Sequence, residues 1–284
     1  MTKTFLLGTG CQKGGTTWLF QYLRDSPQFV RGFRKEYHVF DAIDIPGQAY
    51  RRDEITEAAE ATLARGRGGR PINAQVMMLA AMQANPTFYY DYFAGLLMTR
   101  PAGRVTADVT PSYGMLSADR LKEIREEFDA RGVRTVSVFL MRDPVDRVLS
   151  QMRMQVRRKS DRFRRPLRDV LLLRHASPGY ASRTRYDLTL AALEEAFEPG
   201  EVYYGFYESF FNEDRIREVC EFVGIDFHPP KLDVRSNASP QVDDVPEETL
   251  RTVAETYRPV YEAVAARFPE IDLQALWPYA RLLG

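Results

Sequence analysis

The chain has 284 residues, 44% of them hydrophobic, and its 39 lysines and arginines balance 39 aspartates and glutamates to a formal net charge of zero. That balance supplies no overall field for nucleic acid or an anionic membrane surface, and no apolar run approaches the ~20 residues of a membrane-spanning helix. Two cysteines are too few for a disulfide framework, no Cys/His cluster has metal-ligand spacing, and Met1-Thr2-Lys3 runs straight into a strand rather than a signal peptide. A cytoplasmic protein that needs no metal is therefore expected.

The first strand is expected over Thr4 to Gly8, followed by a glycine-rich turn that carries Lys13, Gly14 and Gly15 and then by a helix through Thr16, Thr17, Trp18 and Leu19. Strand, glycine turn and helix make an anion cradle. Small residues let the backbone approach a phosphate, the first helical amides point at it, and the macrodipole adds partial positive charge. Lys13 supplies a full charge, and the hydroxyls of Thr16 and Thr17 are expected to cap the helix. A Walker loop places its lysine after the last glycine and follows it directly with a magnesium-binding Ser or Thr. Here Lys13 precedes Gly14-Gly15-Thr16-Thr17, and the alternative reading of the glycines, taken alone, is a tight turn.

Next comes Arg34-Lys35-Glu36-Tyr37-His38-Val39-Phe40-Asp41, in which Lys35 and Glu36 could simply be a solvated pair with His38 packed beside Phe40. A helix is expected around Asp53 to Ala64, then a flexible basic turn over Arg65 to Arg70. The aromatic cluster Phe88 to Phe93 reads as core before it reads as an acceptor pocket. A strand at Arg104 to Ala107 would set Asp108 and Thr110 at the carboxyl edge of a sheet.

Helical patterning follows at Ala118 to Ala130, then an apolar, β-branched strand at Arg134 to Leu140. Pro144 suits the first turn of the next helix and Asp143 can cap it. Arg147 and Ser150 lie about one turn apart on that helix, near Arg142 at the strand end. Arg147 reads either as part of an anion site or as an ion-pair partner of Asp143 or Asp146. The basic run Arg153, Arg157, Arg158, Lys159, Arg162, Arg164, Arg165 and Arg168 is either an electropositive rim or a solvated face. Helices at Tyr186 to Phe197, Asp214 to Val223 and Glu247 to Arg267 surround a last strand at Val202 to Phe206. Alternating strands and helices, with no linker and no internal repeat, predict one α/β domain over residues 1–284: a parallel sheet with helices on both faces.

The Lys13-Gly14-Gly15-Thr16 order resembles the 5'-phosphosulfate loop of sulfotransferases that use 3'-phosphoadenosine 5'-phosphosulfate (PAPS). Arg142-Asp143-Pro144, with Arg147 and Ser150, resembles the 3'-phosphate site of the same enzymes, which implies that Arg142 and Ser150 hold that phosphate. Two phosphate-binding elements on separate strand-to-helix junctions suit a nucleotide with phosphates at both ends of its ribose. Lys35-Glu36-x-His38-x-Phe40 is similar to a segment of the Golgi-type and bacterial carbohydrate sulfotransferases, which implies Glu36 as general base, with His38 as rival. The resemblance implies a P-loop-like sheet, PAPS as cosubstrate without a metal, Lys13, Gly14, Gly15, Thr16, Thr17 and Trp18 around the phosphosulfate, and a hydroxyl-bearing small molecule or glycan as acceptor. Arg235-Ser236-Asn237 matches a late loop that closes over the nucleotide in relatives. One departure stands out: those carbohydrate enzymes often carry a lysine where this chain has Val109, so its role would pass to Lys13 or Lys35 or be absent. A P-loop phosphotransferase and a non-catalytic nucleotide-binding protein are the rival readings, the first disfavoured by the absence of Gly-Lys-Ser/Thr.

Overall fold

Four short runs of apolar and β-branched residues form the strands β1 (Thr4–Gly10), β2 (Val105–Asp108), β3 (Arg134–Met141) and β4 (Val202–Phe206) in a computed structural model that describes residues 2–158, 167–232 and 245–284. All pair in parallel, in the order β2-β1-β3-β4. Successive side chains leave opposite faces of a strand, and here both faces are covered. Phe5, Leu7, Phe139 and Met141 join one apolar cluster; Leu6, Val136, Val138 and Leu140 join another on the opposite side. The expected α/β architecture, a parallel sheet with helices on both faces, is the one observed.

Strand order places the ligand crevice. From β1 the chain returns to the sheet as β2 on one side, and from β3 as β4 on the other. The carboxyl ends of β1 and β3 therefore flank a topological switch point, where open α/β sheets leave room for a ligand.

Expected and observed helices differ in ways that bear on the site and the core. The helix expected around Asp53 to Ala64 runs over Tyr50–Arg67, so Arg65 and Arg67 close its last turn, where cations complement the macrodipole, instead of forming a basic turn. Glu247 to Arg267 is two helices, Glu247–Thr256 and Arg258–Arg267, because Pro259 has no amide to donate back to Glu255. Ala74–Ala84 and Thr87–Met98 add two helices over a stretch with little visible pattern. Within the second, Tyr89, Tyr90 and Phe93 are buried against Phe5 and Phe128 while Phe88 is exposed, so the aromatic cluster is core. Among the described residues no helix is long and apolar enough to cross a membrane.

Candidate active site

The turn after β1 is folded down onto the end of β3. A Cβ on Gly14 would lie 2.7 Å from the Leu140 carbonyl oxygen and 2.8 Å from Cys11 Sγ; Gly15 has a left-handed φ of 92°. Lys13 also has positive φ, 74°, a conformation that costs a non-glycine residue about 1–2 kcal/mol. The helix Thr16–Arg24 then starts with Gly15 at its N-cap and no side-chain cap. Thr16 and Thr17 occupy the first turn itself, so the expected hydroxyl caps do not form, and Thr16 Oγ1 instead accepts from Lys35 Nζ at 3.3 Å. Helix amides without a capping side chain are the donors that an anion needs.

Arg142 leaves the end of β3 toward this turn. Its Nη1 donates to the Lys13 carbonyl at 3.3 Å, its guanidinium lies 4.4 Å above the Tyr207 ring, and its Nη2 is 3.8 Å from Asp146. Its Nε is buried with no hydrogen-bond partner, a donor that a phosphate oxygen would satisfy. The Tyr186 hydroxyl ties the two strand ends together, donating to the Arg142 carbonyl at 3.0 Å with Cys11 Sγ at 3.2 Å. Ser150 is buried on the helix Pro144–Arg158, less than two turns from its start. Arg147 is fully buried and bonds Gln151 Oε1 at 2.7 Å and the Tyr180 carbonyl at 3.3 Å, and it pairs with neither Asp143 nor Asp146. Of the arginine-rich run, Lys159, Arg162, Arg164 and Arg165 lie outside the described residues, and so does the late loop Arg235-Ser236-Asn237.

Glu36 and His38 reach the same crevice from the loop after the first helix. Lys35 Nζ, which touches Thr16, also donates to Glu36 Oε1 at 2.8 Å; Glu36 Oε2 is 3.3 Å from His38 Nε2. On its other side His38 Nδ1 meets Asp41 Oδ2 at 2.7 Å, and Ser112 donates to the same oxygen at 2.5 Å. The row Lys35–Glu36–His38–Asp41 thus alternates basic and acidic side chains. His38 takes a left-handed φ of 55°, and Gln83 Nε2 holds its carbonyl at 3.0 Å. Burial works to raise the Glu36 carboxyl, but the bonds from His38 and Lys35 overcome it and hold it at about 2. Burial likewise works to lower His38, and Asp41 and Glu36 together raise it above its ordinary value.

Asp108, at the end of β2, is a strut for this loop. Fully buried, it accepts from Thr110 Oγ1 at 2.6 Å and the Tyr89 hydroxyl at 2.9 Å, and Thr110 Oγ1 in turn accepts from the Tyr37 amide at 3.0 Å. Burial raises Asp108 to about 6, against the pull of these bonds. Val109, which follows Asp108, donates its amide to the Lys35 carbonyl at 2.8 Å and so ties the end of β2 to this loop.

The chain's carboxyl-terminal part clasps the same strand end from behind. Asp143 caps the Pro144–Arg158 helix through the Val145 amide at 2.9 Å and accepts from the Tyr261 hydroxyl at 2.8 Å and the Tyr279 amide at 3.0 Å. Its own amide donates to Glu208 Oε1 at 3.0 Å, while Trp277 Nε1 donates to Glu208 Oε2 at 3.0 Å. Burial pushes Asp143 up to about 6 and Glu208 to about 7. Both therefore hold protons more tightly folded than unfolded, where carboxyls titrate near pH 4. Their contribution to stability is full below that point and is lost as pH rises through about 6 to 7. Glu208→Gln is expected to flatten the fall in Tm between about pH 5 and pH 7; an unchanged slope in a calorimetric pH series would contradict this.

A model of the sulfotransferase family matches residues 6–229. This chain belongs to the sulfotransferase family. Its fold is also that of a sulfotransferase from Alicyclobacillus acidocaldarius, at 18% identity and a TM-score of 0.63, covering 97% of this chain and 99% of that one. The sulfotransferase domain of the Synechococcus PCC 7002 olefin synthase matches at 16% identity over 91% of this chain and 94% of that domain, with a TM-score of 0.45. A sulfotransferase domain from the curacin biosynthetic pathway matches at 13% identity, with a TM-score of 0.44 and 84% and 78% coverage. None of the curated proteins matches.

The turn of Lys13 to Thr17, Arg142 and the Glu36–His38 pair thus come together at one end of the sheet. Sequence reasoning missed Asp41, Ser112, Tyr186 and Glu208. Only Asp41 carried a signal: a carboxylate three residues beyond a histidine, the spacing of neighbours on one turn.

Proposed function

We propose that this sulfotransferase moves the sulfuryl group of PAPS to a hydroxyl of a sugar, glycolipid or small metabolite, in line and with Glu36 as general base. PAPS supplies an activated sulfuryl group on a leaving phosphate. Lys13, Gly14, Gly15, Thr16, Thr17 and Trp18 hold the 5' end through the first helical amides, and Arg142 and Ser150 hold the 3'-phosphate. The observation that carries this reading is the buried, unpartnered Nε of Arg142 beside a helix start without a side-chain cap, two donor sets bridged at the Lys13 carbonyl.

Lys35 links binding to base strength. It is hydrogen-bonded both to Thr16 of the cradle and to Glu36, so turning its charge toward a sulfonate in the cradle withdraws it from Glu36 and lets that carboxylate's proton affinity rise. Glu36 then takes the acceptor proton as the new S–O bond forms, and His38, held by Asp41, orients it. Lys13 and the loop amides stabilise charge developing on the leaving oxygen. The resemblance of Lys35-Glu36-x-His38-x-Phe40 to a segment of the Golgi-type and bacterial carbohydrate group supports a hydroxyl acceptor, and Val109 stands where that group often has a second lysine.

PAPS radiolabelled at sulfur, incubated with a panel of sugars and hydroxylated metabolites, tests the reaction. Label should move to an acceptor with release of 3'-phosphoadenosine 5'-phosphate. Phosphoryl transfer from magnesium-ATP to the same panel, with no movement of sulfur label, would overturn the proposal.

A further inference from the structure

Beyond Asp41, on the side away from Lys35, two arginines converge on one neutral oxygen. Arg51 Nε, in the first turn of the Tyr50–Arg67 helix, donates to Gln48 Oε1 at 3.1 Å, and Arg183 Nη2 reaches the same atom at 3.4 Å. Gln48 is buried, so its carbonyl is committed to these two cations. The nearest carboxylate to Arg51 is Asp41 at 3.8 Å, and Asp41 Oδ2 is already engaged by His38 and Ser112. Among the described residues Arg183 forms no ion pair; its Nη1 has only the Gly179 carbonyl, at 3.1 Å.

Behind the same turn lies a third cation. Arg147 meets the Tyr180 carbonyl, one residue from Arg183's partner Gly179, and its Nε is buried with no hydrogen-bond partner. Burial, then the charges of Arg147 and Arg51, push the Arg183 guanidinium below its ordinary value. Arg51 and Arg183 face one carboxylate, Asp41, and Arg147 adds a third positive charge beside them, an arrangement short of negative charge. Buried or half-buried cations are normally paired, and a guanidinium fork is shaped for carboxylate or phosphate.

The cluster also has a defined relation to the chemistry. Asp41 touches His38 on one side and faces Arg51 on the other, so the arginines sit one side chain past the base pair, opposite Lys35 and the nucleotide cradle. Resting on the assignment of this crevice to sulfuryl transfer, we propose that Arg51 and Arg183 form an acceptor subsite for an anionic group. The acceptor is then a hydroxyl compound that also bears a carboxylate or a phosphate monoester, anchored there while its hydroxyl faces Glu36.

The protein's three histidines, His38, His175 and His228, give a direct readout. With the nucleotide site saturated by 3'-phosphoadenosine 5'-phosphate, inorganic phosphate and, separately, butyrate are titrated while the histidine ring resonances are followed. Each effective anion should shift His38 saturably and leave His175 and His228 in place, and the stronger probe identifies the phosphate or the carboxylate class. Arg51→Gln and Arg183→Gln should each weaken the response at least about tenfold, the loss of a charge-assisted contact, with nucleotide affinity unchanged. No response to either anion, or one that persists equally in both variants, overturns the subsite. Failure of the nucleotide to bind at all is read separately, in the first titration, and bears on the donor assignment alone.

Discussion

Glu36→Gln should reduce sulfuryl transfer by roughly a hundredfold or more, the usual range for loss of a general base, and leave nucleotide affinity nearly unchanged. The separation follows from geometry. Glu36 touches Lys35 and His38, and of these three only Lys35 reaches the cradle, through Thr16. Glutamine keeps the volume and can still accept from Lys35, but it takes no proton. The fall should appear in kcat with little change in the binding of 3'-phosphoadenosine 5'-phosphate. Retention of full activity would pass the base role to His38, which in the resting site shares its ring nitrogens between Glu36 and Asp41.

Arg142→Ala should weaken 3'-phosphoadenosine 5'-phosphate by roughly ten- to a hundredfold, the equivalent of about 1.5–3 kcal/mol for hydrogen bonds to a charged group. Adenosine 5'-phosphate, which lacks the 3'-phosphate, should lose far less. Comparing the two nucleotides isolates the 3'-phosphate contact from a general effect on the turn, which the variant also touches by losing the 3.3 Å bond to the Lys13 carbonyl. An equal loss for both nucleotides in a calorimetric titration would reduce Arg142 to a structural prop.

The sheet was legible because its strands are buried on both faces, and runs such as Val136 to Leu140 have no other use for so many branched side chains. The glycine turn and the Arg142-Asp143-Pro144 junction were legible for a different reason. A turn as tight as that at Gly14 and a strand ending in Arg-Asp-Pro confine chemistry to a few consecutive residues. What joins distant segments was not. Arg51 and Arg183 meet at Gln48 across more than a hundred residues, and Glu208 and Trp277 meet behind Asp143 across 69. Composition carries no trace of such meetings. Local rules misled at Thr16 and Thr17, where a hydroxyl at a helix start suggested a cap although the turn had already placed Gly15 in that position. Apolar spacing from Glu247 to Arg267 outvoted Pro259, whose missing amide divides the helix.

Calorimetric titration of the protein with 3'-phosphoadenosine 5'-phosphate in the absence of magnesium, beside a titration with magnesium-ATP, tests the donor assignment most directly. Saturable binding of the bisphosphate without metal, and tighter than that of magnesium-ATP, is the predicted result. Preference for magnesium-ATP, or no binding of the bisphosphate, would contradict it.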